Sequence, residues 1–580
     1  MAKSSRPTRP DPRRDLLEHC LDQARRIILA RQDPNTGLLP ASTAITVHGD
    51  YTHAWVRDNV YSILAVWALA LAWRREDRAR ATELDARVVQ LMRGLLSAMK
   101  RQAHKVERFK HTQDPLDALH AKYATTTGEP VVGDAEWGHL QVDATAIFVL
   151  QLAQMSAQGL RIVRDADEVA FVQNLVHYLA KAYRTPDFGI WERGHKRNEG
   201  VAEINASSLG MAKAALEAIA GFEPLPGRAP AIHVLEDDIA LARETLEVLL
   251  PRESESKETD AALLASVGYP AFAIDDPTLA ARTLAQIVDK LHGRYGCKRF
   301  LRDGHQTVLE DHARLHYEPG ELKQFEHIES EWPLFFTYLL IDAVWRGDTT
   351  AAADYRARLD GLMQEVNGER LLPELYYVPA DAVDAERARP HSQERVPNDN
   401  VPLVWAQSLY LVGVLLQEGL LVPADLNPLG RPPQRAPGEV VVQVAIVAAD
   451  DGVQARLATH GIRAQTPRQL GPVQLRDAND LATLYTELGA APTLGLSGRP
   501  RHRMGSLATG HVYTLGRQQW VFLPAIFDRH GYYLAMDNRL LVDEIVAEMT
   551  TLRRHWRGPG QPLLTLWVGV AALDAGDSDV

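Results

Sequence analysis

Two glutamates, each set in an apolar or aromatic frame, are the residues of this sequence best suited to acid and base chemistry. Glu192 follows Phe-Gly-Ile-Trp, and Glu374 lies 182 positions later in the segment Leu-Leu-Pro-Glu-Leu-Tyr. A carboxyl group beside an indole and aliphatic groups loses solvation, which raises its pKa and suits it to donate a proton. Two carboxyl groups held on either side of a sugar are the minimal equipment for breaking a glycosidic bond.

A group of aromatic and charged residues lies next to the most apolar run of the chain. Trp55, Arg57 and Asp58 fall within Trp-Val-Arg-Asp-Asn. Sugars have apolar faces and polar rims, so a tryptophan can stack on the ring while an Arg–Asp pair binds its hydroxyls. The alternative is that Asp58 caps the following helix, where the helix dipole favours a carboxylate. The local sequence leaves both open.

A third segment, residues 134–143, surrounds Trp137 with polar groups. It can form a second sugar-contact loop with Trp137 as the platform, or a helix start capped by Gln141 and Asp143. The two glutamates also have structural alternatives. Glu192 could be paired only with a neighbouring cation, Arg193 or Lys196, and Glu374 could be an ordinary surface residue.

Composition narrows the class of protein. The chain has 580 residues, 46% of them apolar and 24% charged, which is typical of a globular protein. The net charge of −12 argues against a nucleic-acid or anionic-membrane partner. Two cysteines exclude a disulfide framework, and together with the lack of a targeting segment they predict a cytoplasmic protein. The longest apolar stretch, about 14 residues, favours a buried helix over a membrane span.

Other catalytic classes have little support. The sequence has no phosphate-binding GxxxxGK[ST] loop, no dinucleotide-binding GxGxxG after a strand, no HExxH and no GxSxG elbow. We therefore predict no metal and no cofactor.

Hydrophobic periodicity predicts a long helical region followed by a different domain. From residue 14 to 420 amphipathic runs such as Val142–Ala157 and Glu331–Arg346 alternate with long loops. Such a series stacks as an open solenoid or as a closed barrel of helical hairpins. Residues 1–13 are predicted to be a flexible N-terminus, residues 421–437 a Pro-rich linker, and residues 438–580 an α+β domain.

The segments around Trp55, Trp137, Glu192 and Glu374, taken in order with Trp-Ala-Gln-Ser at residues 405–408, resemble glycoside hydrolase family 15, the glucoamylase-like enzymes. The sequence is more closely similar to the α and β regulatory subunits of phosphorylase kinase, over nearly the whole chain. The similarity is carried by residues 53–67, 91–96, 119–123, 137–143, 187–194, 205–216, 294–297, 329–334 and 496–500. The resemblance implies a mainly α fold, an α/α toroid of six helical hairpins whose loops form a glucan pocket at one end, followed by the smaller α+β domain.

The resemblance also implies roles for individual residues. Glu192 matches the general acid of the family and Glu374 its general base, and Arg57 with Asp58 matches the pair that binds the terminal glucose. We expect the substrate contacts to come from the following residues: Trp55, Arg57, Asp58, Trp137, Gln141, Asp143, Trp191 and Arg193.

The predicted function is inverting hydrolysis of α-glucans or maltooligosaccharides in glycogen or carbohydrate metabolism. The alternative is a non-catalytic glucan-binding regulatory protein. The expected partners are the glucan itself and either a second copy of the chain or a glycogen enzyme.

Overall fold

The computed structural model describes residues 12–42, 45–46, 49–197, 200–311, 313–314, 316–431, 440–527 and 538–576. The predicted flexible N-terminus, apart from its last two residues, and residues 432–437 of the predicted linker lie outside this part of the chain. The chain divides into two compact units. The first consists of residues 1–232 and 242–435, and the second of residues 233–241 and 436–580.

Helices are the main elements of the first unit. Their bounds are α1 (Pro12–Ile27), α2 (Val56–Trp73), α3 (Arg78–Arg101), α4 (Ala103–Thr112), α5 (Val142–Ala157), α6 (Ala166–Ala182), α7 (Ala206–Ile219), α8 (Glu236–Leu249, within which the boundary between the units falls), α9 (Leu264–Val267), α10 (Pro277–Leu291), α11 (Leu334–Trp345), α12 (Thr349–Leu362), α13 (Val383–Ala388) and α14 (Val404–Gln417).

An inner ring of helices closes on itself. The ring runs through α2, α5, α7, α9, α11 and α14, each packing on the next, and α14 packs back on α2. Every residue of α2 is buried, because a helix that is apolar on all sides fits only an interior position. The outer helices α3, α6, α10 and α12 pack on α2, α5, α9 and α11 respectively. In α10 the buried residues recur every three or four positions, as in Leu279, Thr283 and Ile287, whereas α6 is buried along most of its length. The predicted α/α barrel is confirmed, and ring closure excludes the open solenoid.

Short strands connect the loops at one end of the ring. They are β1 (Ile45–Thr46), β2 (Gly49–Asp50), β3 (Ala54–Trp55), β4 (Lys122–Tyr123), β5 (Cys297–Lys298), β6 (Glu331–Trp332), β7 (Gln364–Val366), β8 (Glu369–Leu371), β9 (Tyr376–Tyr377) and β10 (Val396–Pro397). β3 pairs with β4, and the order β10-β9-β6-β5 forms a small antiparallel sheet.

The second unit combines helices and strands, as predicted. Its elements are β11 (Gln443–Ala448), α15 (Asp451–Thr459), β12 (Val473–Asp477), α16 (Ala478–Tyr485), β13 (Ala490–Ala491), β14 (Leu496–Ser497), α17 (Ser506–Thr509), β15 (Tyr513–Leu515), β16 (Gln518–Leu523), α18 (Asn538–His555), β17 (Leu563–Val568) and α19 (Val570–Gly576). β11 pairs with β17 and β12 with β16, both in parallel, and β15 is antiparallel to β16.

One helix prediction is confirmed at both ends, and another is wrong at its start. The helix predicted over Val142–Ala157 matches α5 at both ends. The helix predicted over Glu331–Arg346 is wrong at its start, since Glu331 and Trp332 form β6 and α11 begins only after Pro333. Proline is accepted at the edge of a helix but not inside one, so the chain changes conformation there.

Candidate functional site

A cavity of about 320 Å³ lies where loops meet the N-terminal ends of α2 and α14. Its size falls within the range usual for small-molecule sites. Most of the predicted site residues line it together, although they come from distant parts of the chain: Trp55, Arg57, Asp58, Trp137, Trp191, Glu192, Arg193 and Glu374. Gln141 and Asp143 do not line the cavity but contact Arg57.

Arg57, in the first turn of α2, is a buried centre of hydrogen bonds. Its Nη1 donates to Oε1 of Gln141 (3.2 Å) and to Oδ2 of Asp143 (3.1 Å), and its Nη2 donates to Oε1 of Glu192 (3.2 Å). Gln141 occupies the N-cap position of α5 but makes no side-chain cap bond, so the capping alternative does not describe it. Burial alone would lower the pKa of Arg57, yet the surrounding carboxylates raise it. The guanidinium is a permanent buried cation.

Asp58, beside Arg57, holds its proton unusually tightly. Burial raises the pKa of Asp58 from 3.8 to about 7, the nearby charge of Arg57 opposes this, and the charges of Glu192 and Glu374 add to it. A carboxyl that titrates near neutral pH can both donate and accept hydrogen bonds, which suits recognition of a hydroxyl group.

Glu192 stands on a tight turn that forces an uncommon backbone conformation. Its φ is +67°, and the flanking Gly189 and Gly194 have φ of +64° and +61°. A Cβ on Gly194 would lie 2.2 Å from the carbonyl oxygen of Val201, so a close approach of the backbone requires glycine there. Non-glycine residues rarely adopt positive φ, and such strain is found preferentially at functional sites.

The partners of Glu192 differ from the predicted ones. Its Oε1 accepts hydrogen bonds from Nε1 of Trp55 (2.7 Å) and from Arg57. The predicted alternative of pairing with a neighbouring cation is wrong, because Arg193 pairs with Glu310 (3.5 Å) and Lys196 with Glu258 (2.7 Å).

Trp191 lines the cavity, but its indole nitrogen serves a different carboxylate. Nε1 donates to both carboxyl oxygens of Asp260, at 3.0 and 2.9 Å. Its ring packs against Trp332 and lies under the guanidinium of Arg299, 4.9 Å from the ring centroid. The indole that bonds to Glu192 therefore belongs to Trp55, because neighbouring side chains in a tight turn point in different directions.

Glu374 is buried, which excludes the surface alternative. Its Oε2 accepts hydrogen bonds from Nε2 of Gln306 (3.1 Å) and Nδ2 of Asn398 (2.7 Å), and its Oε1 accepts from the hydroxyl of Tyr51 (3.4 Å). Burial raises the pKa of Glu374, although the amide donors of Asn398 and Gln306 act in the opposite direction.

An aromatic wall faces these polar groups. The rings of Trp55 and Trp137 meet edge to face at 6.3 Å, and Tyr51 stacks on Trp55 at 6.1 Å. Nζ of Lys122 lies 3.8 Å from the ring centroid of Trp137 and 4.9 Å from that of Trp55. The position of Lys122 follows from strand pairing, because Trp55 in β3 is directly opposite Lys122 in β4.

Comparison with known proteins identifies the family. The sequence profile of glycosyl hydrolases family 15 matches residues 15–441. The chain belongs to this family. A solved glycosidase variant has a TM-score of 0.50 with this family 15 chain at 18% sequence identity, covering 71% of this chain and 100% of its own, a likeness that shows the fold alone.

Curated proteins similar to this family 15 chain are named as regulatory subunits. The regulatory subunit alpha of phosphorylase b kinase, skeletal muscle isoform, from Oryctolagus cuniculus is 48% identical over 94% of this chain and 44% of its own length. The liver isoform from Mus musculus is 48% identical over 95% and 45%. The probable regulatory subunit alpha from Drosophila melanogaster is 48% identical over 95% and 44%. The chain spans less than half the length of these relatives.

Several cavity residues of this family 15 chain were missing from the predicted site: Tyr51, Lys122, Arg299, His305, Trp332 and Trp405. Tyr51 lies only four positions before Trp55, a proximity that could have indicated it. The others lie far from Trp55 in sequence, in β4 (Lys122), in β6 (Trp332), in the first turn of α14 (Trp405) and in the segment after β5 (Arg299 and His305), and only the folded ring brings them together.

The described part of the chain contains no group of three or more His, Cys, Asp or Glu residues that could hold a metal ion. Within the same residues, no helix is long and apolar enough to cross a membrane.

Proposed function

We propose that this chain is a glucan-binding regulatory protein that takes the end of an α-glucan or maltooligosaccharide into the barrel cavity. The proposal depends mainly on one observation: the cavity has an aromatic wall, formed by Trp55 and Trp137, and a polar side that contains Arg57 and Asp58. A pyranose ring has an apolar face and a rim of hydroxyls, and these two surfaces match it.

The regulatory part of the proposal comes from the relatives. Those matching nearly the whole of this chain are named regulatory subunits of phosphorylase b kinase. A subunit acts within an assembly, so we propose a kinase or another glycogen enzyme of the cytoplasm as partner. Glucan binding in the cavity is then the signal that the assembly senses.

Hydrolysis in the same cavity is the second candidate. Glu192 and Glu374 both line the cavity, and inverting hydrolysis needs one acid and one base. The names of the relatives rank it second, and one observation in the cavity agrees. The residue assigned as base, Glu374, has a pKa raised by burial, so it keeps its own proton, and cannot accept one from water, up to a higher pH than an exposed glutamate.

The test combines thermal unfolding with detection of released glucose. Maltoheptaose is expected to raise the melting temperature, because a ligand at about 100 times its Kd stabilises the folded state by about 2.7 kcal/mol. No glucose is expected to appear. If no sugar in the series from glucose to maltoheptaose raises the melting temperature, the result would contradict glucan binding.

The Glu192→Gln variant separates the two candidates. If the chain hydrolyses glucans, this substitution lowers glucose release by roughly 10²–10⁴-fold and preserves stabilisation by maltoheptaose. The regulatory proposal expects no glucose from either protein. Glucose release by the natural chain, lost in the Glu192→Gln variant, would establish hydrolysis as the function.

A further inference from the structure

The second unit contains a cavity of its own at one edge of its three-stranded sheet. β12 and β16 run parallel and end together, because Asp477 lies directly opposite Leu523. Ala478 and Asn479, which begin α16, follow the first of these strands, and Ala525 follows the second. All three line a cavity of about 420 Å³. In open α/β sheets, ligands bind beyond the carboxyl ends of parallel strands, so this cavity lies where a ligand is expected.

An arginine-rich loop, residues 499–503, borders this cavity and is fixed at both ends. Before it, Gly498 has a φ of +89°, and a Cβ there would lie 2.2 Å from the carbonyl oxygen of Thr486, just beyond the end of α16. After it, Met504 is buried in the core of the unit. The loop therefore runs back along α16 towards the start of that helix. Three basic side chains from the loop line the cavity: Arg501, His502 and Arg503.

The positive charges of this loop have weak counterparts within the unit. Nη2 of Arg501 donates to a neutral group, Oδ1 of Asn479, at 2.7 Å. A guanidinium has several N–H donors, so this bond orients the side chain and leaves donors for an anion. Arg503 acts on Glu548, because its charge lowers the pKa of that carboxyl, but burial raises the pKa by more. Glu548 therefore keeps its proton to a higher pH than an exposed glutamate.

A basic groove on the first unit differs in this respect. Arg93 and Arg101 line it, and both are paired with carboxylates: Arg93 with Glu168 at 3.1 Å, and Arg101 with Glu129 at 3.3 Å. These carboxylates already occupy the donors that an incoming anion would need. Basic residues alone therefore do not distinguish the two places. What distinguishes the cavity of the second unit is that Arg501 is bonded to an amide instead of a carboxylate.

The lining of the cavity indicates the class of ligand. Arginine donors bind phosphate oxygens strongly, and the remaining surface is mostly small and apolar. The volume lies in the range of small-molecule sites, which leaves room for a carbon body beside a phosphate group. Of the described residues that line the cavity, none is aromatic, so it offers no ring on which a nucleobase could stack. The carboxylates Asp477 and Asp480, at the start of α16, are not part of the lining.

We propose that this cavity is a second binding site, which takes a small phosphate monoester. Arg501 and Arg503 bind the phosphate group, and the carbon body lies against the apolar side chains of the lining. Those side chains are Ala478, Ala482, Met504 and Ala525. Every lining residue belongs to the second unit, so the proposal is independent of glucan binding in the barrel.

Isothermal titration of glycerol 3-phosphate into the full chain tests this site. Glycerol 3-phosphate is chosen because it has no sugar ring that could enter the barrel cavity. Saturable binding of one molecule per chain is expected, tighter than that of inorganic phosphate, which lacks the carbon body. The affinity should fall as sodium chloride is added, because salt screens charges at an exposed site. Glycerol, which has no charge, should not bind.

Substitutions in the loop locate the binding. Arg501→Met and Arg503→Met are each expected to raise the Kd about tenfold, the effect of losing one hydrogen bond to a charged group. Arg501→Lys should fall between the natural chain and Arg501→Met, because it keeps the charge but loses the planar donors. Arg468→Met is the matched control, since Arg468 is an exposed arginine of the same unit that does not line the cavity. Its Kd should not change. Arg501 and Arg503 are also exposed, so an unchanged melting temperature without ligand is expected for every variant.

Three results would overturn the proposal. The first is no saturable binding of glycerol 3-phosphate up to about 10 mM, and the second is equal binding by the natural chain and both methionine variants. The third is inorganic phosphate that binds as tightly as glycerol 3-phosphate, which would reject the monoester. Maltoheptaose binding, measured on the same samples, should be the same in every variant. If maltoheptaose fails to bind throughout, only the proposed glucan function is rejected, and the phosphate titration decides this site separately.

Discussion

Glu192 and Glu374 line one cavity, yet the surroundings of the two carboxyl groups are opposite in kind. The Glu192 side chain is 25% exposed and is bonded to a permanent cation, Arg57. Glu374 is 3% exposed and is held by the neutral groups of Gln306, Asn398 and Tyr51. Their backbones differ as well, because Glu192 has a positive φ and Glu374 does not.

The difference shows how one residue type acquires two behaviours in one cavity. Glu192 is held in place by a buried cation, whereas burial raises the pKa of Glu374 and the amides that donate to it offset only part of that rise. The sequence frames of the two glutamates look alike. What separates them is the set of residues that ring closure brings to each.

Among the substitutions considered, replacing the buried cation Arg57 is expected to lower the free energy of unfolding the most. Arg57→Met leaves Asp143 and Glu192 without their buried partner, and breaking a buried ion pair costs about 3–5 kcal/mol. Chemical denaturation measures the free energy of unfolding. Arg358→Met is the matched control, since Arg358 pairs with Asp354 at an exposed site where about 0–1 kcal/mol is expected. Equal losses in the two variants would contradict the role of Arg57.

Asp58 is expected to make stability depend on pH. Its pKa is raised from 3.8 to about 7, so the folded chain binds this proton more tightly than the unfolded chain. The free energy of unfolding therefore falls as the pH rises from about 4 to about 7, with a slope on the order of 1.4 kcal/mol per pH unit for one proton.

Asp58→Asn should remove this contribution, since asparagine does not titrate. Denaturation at several pH values gives the slopes for both proteins. Glu374, whose pKa is also raised, leaves a residual slope of the same sign. Identical slopes with and without Asp58 would show that the group titrates normally in the folded state.

The Glu192 turn can be broken without touching a charge. Gly194→Ala combines positive φ with a clash against the carbonyl of Val201, and we expect a loss of about 1–3 kcal/mol together with weaker maltoheptaose binding. Gly200→Ala is the control, because Gly200 has a φ of +73° but no neighbouring atom within 4 Å of the place where a Cβ would lie. It should cost about 1–2 kcal/mol and leave binding unchanged. Equal binding in both variants would separate the turn from glucan recognition.

Part of this site could be predicted from sequence. Trp55, Arg57 and Asp58 are neighbours in the chain, and the helix that follows them is apolar on all sides, so a buried charged cluster at its start was foreseeable. The inner helices were predictable for the same reason. Residue types and spacing do not reveal the bond between Trp55 and Glu192, 137 positions apart, because it depends on ring closure. The positive φ of Glu192 likewise depends on contacts made by the flanking glycines.

Shortening one side chain of the aromatic wall is expected to change the free energy of glucan binding by the smallest amount. Trp137→Ala removes one stacking face, worth about 0.5–1.5 kcal/mol, so the Kd for maltoheptaose should rise by up to about tenfold. Trp520→Ala, in the second unit, is the control and should leave the Kd unchanged. A titration in which both variants bind like the natural chain would remove the wall from the site.

Isothermal titration of maltoheptaose into the natural chain, with glucose assayed in the same cell afterwards, tests the central claim most directly. The account predicts saturable binding of one glucan per chain, weakened in Trp137→Ala, with no glucose formed. Absence of binding at every pH between about 5 and about 8 would contradict the glucan site. Steady release of glucose would contradict the regulatory role and favour hydrolysis.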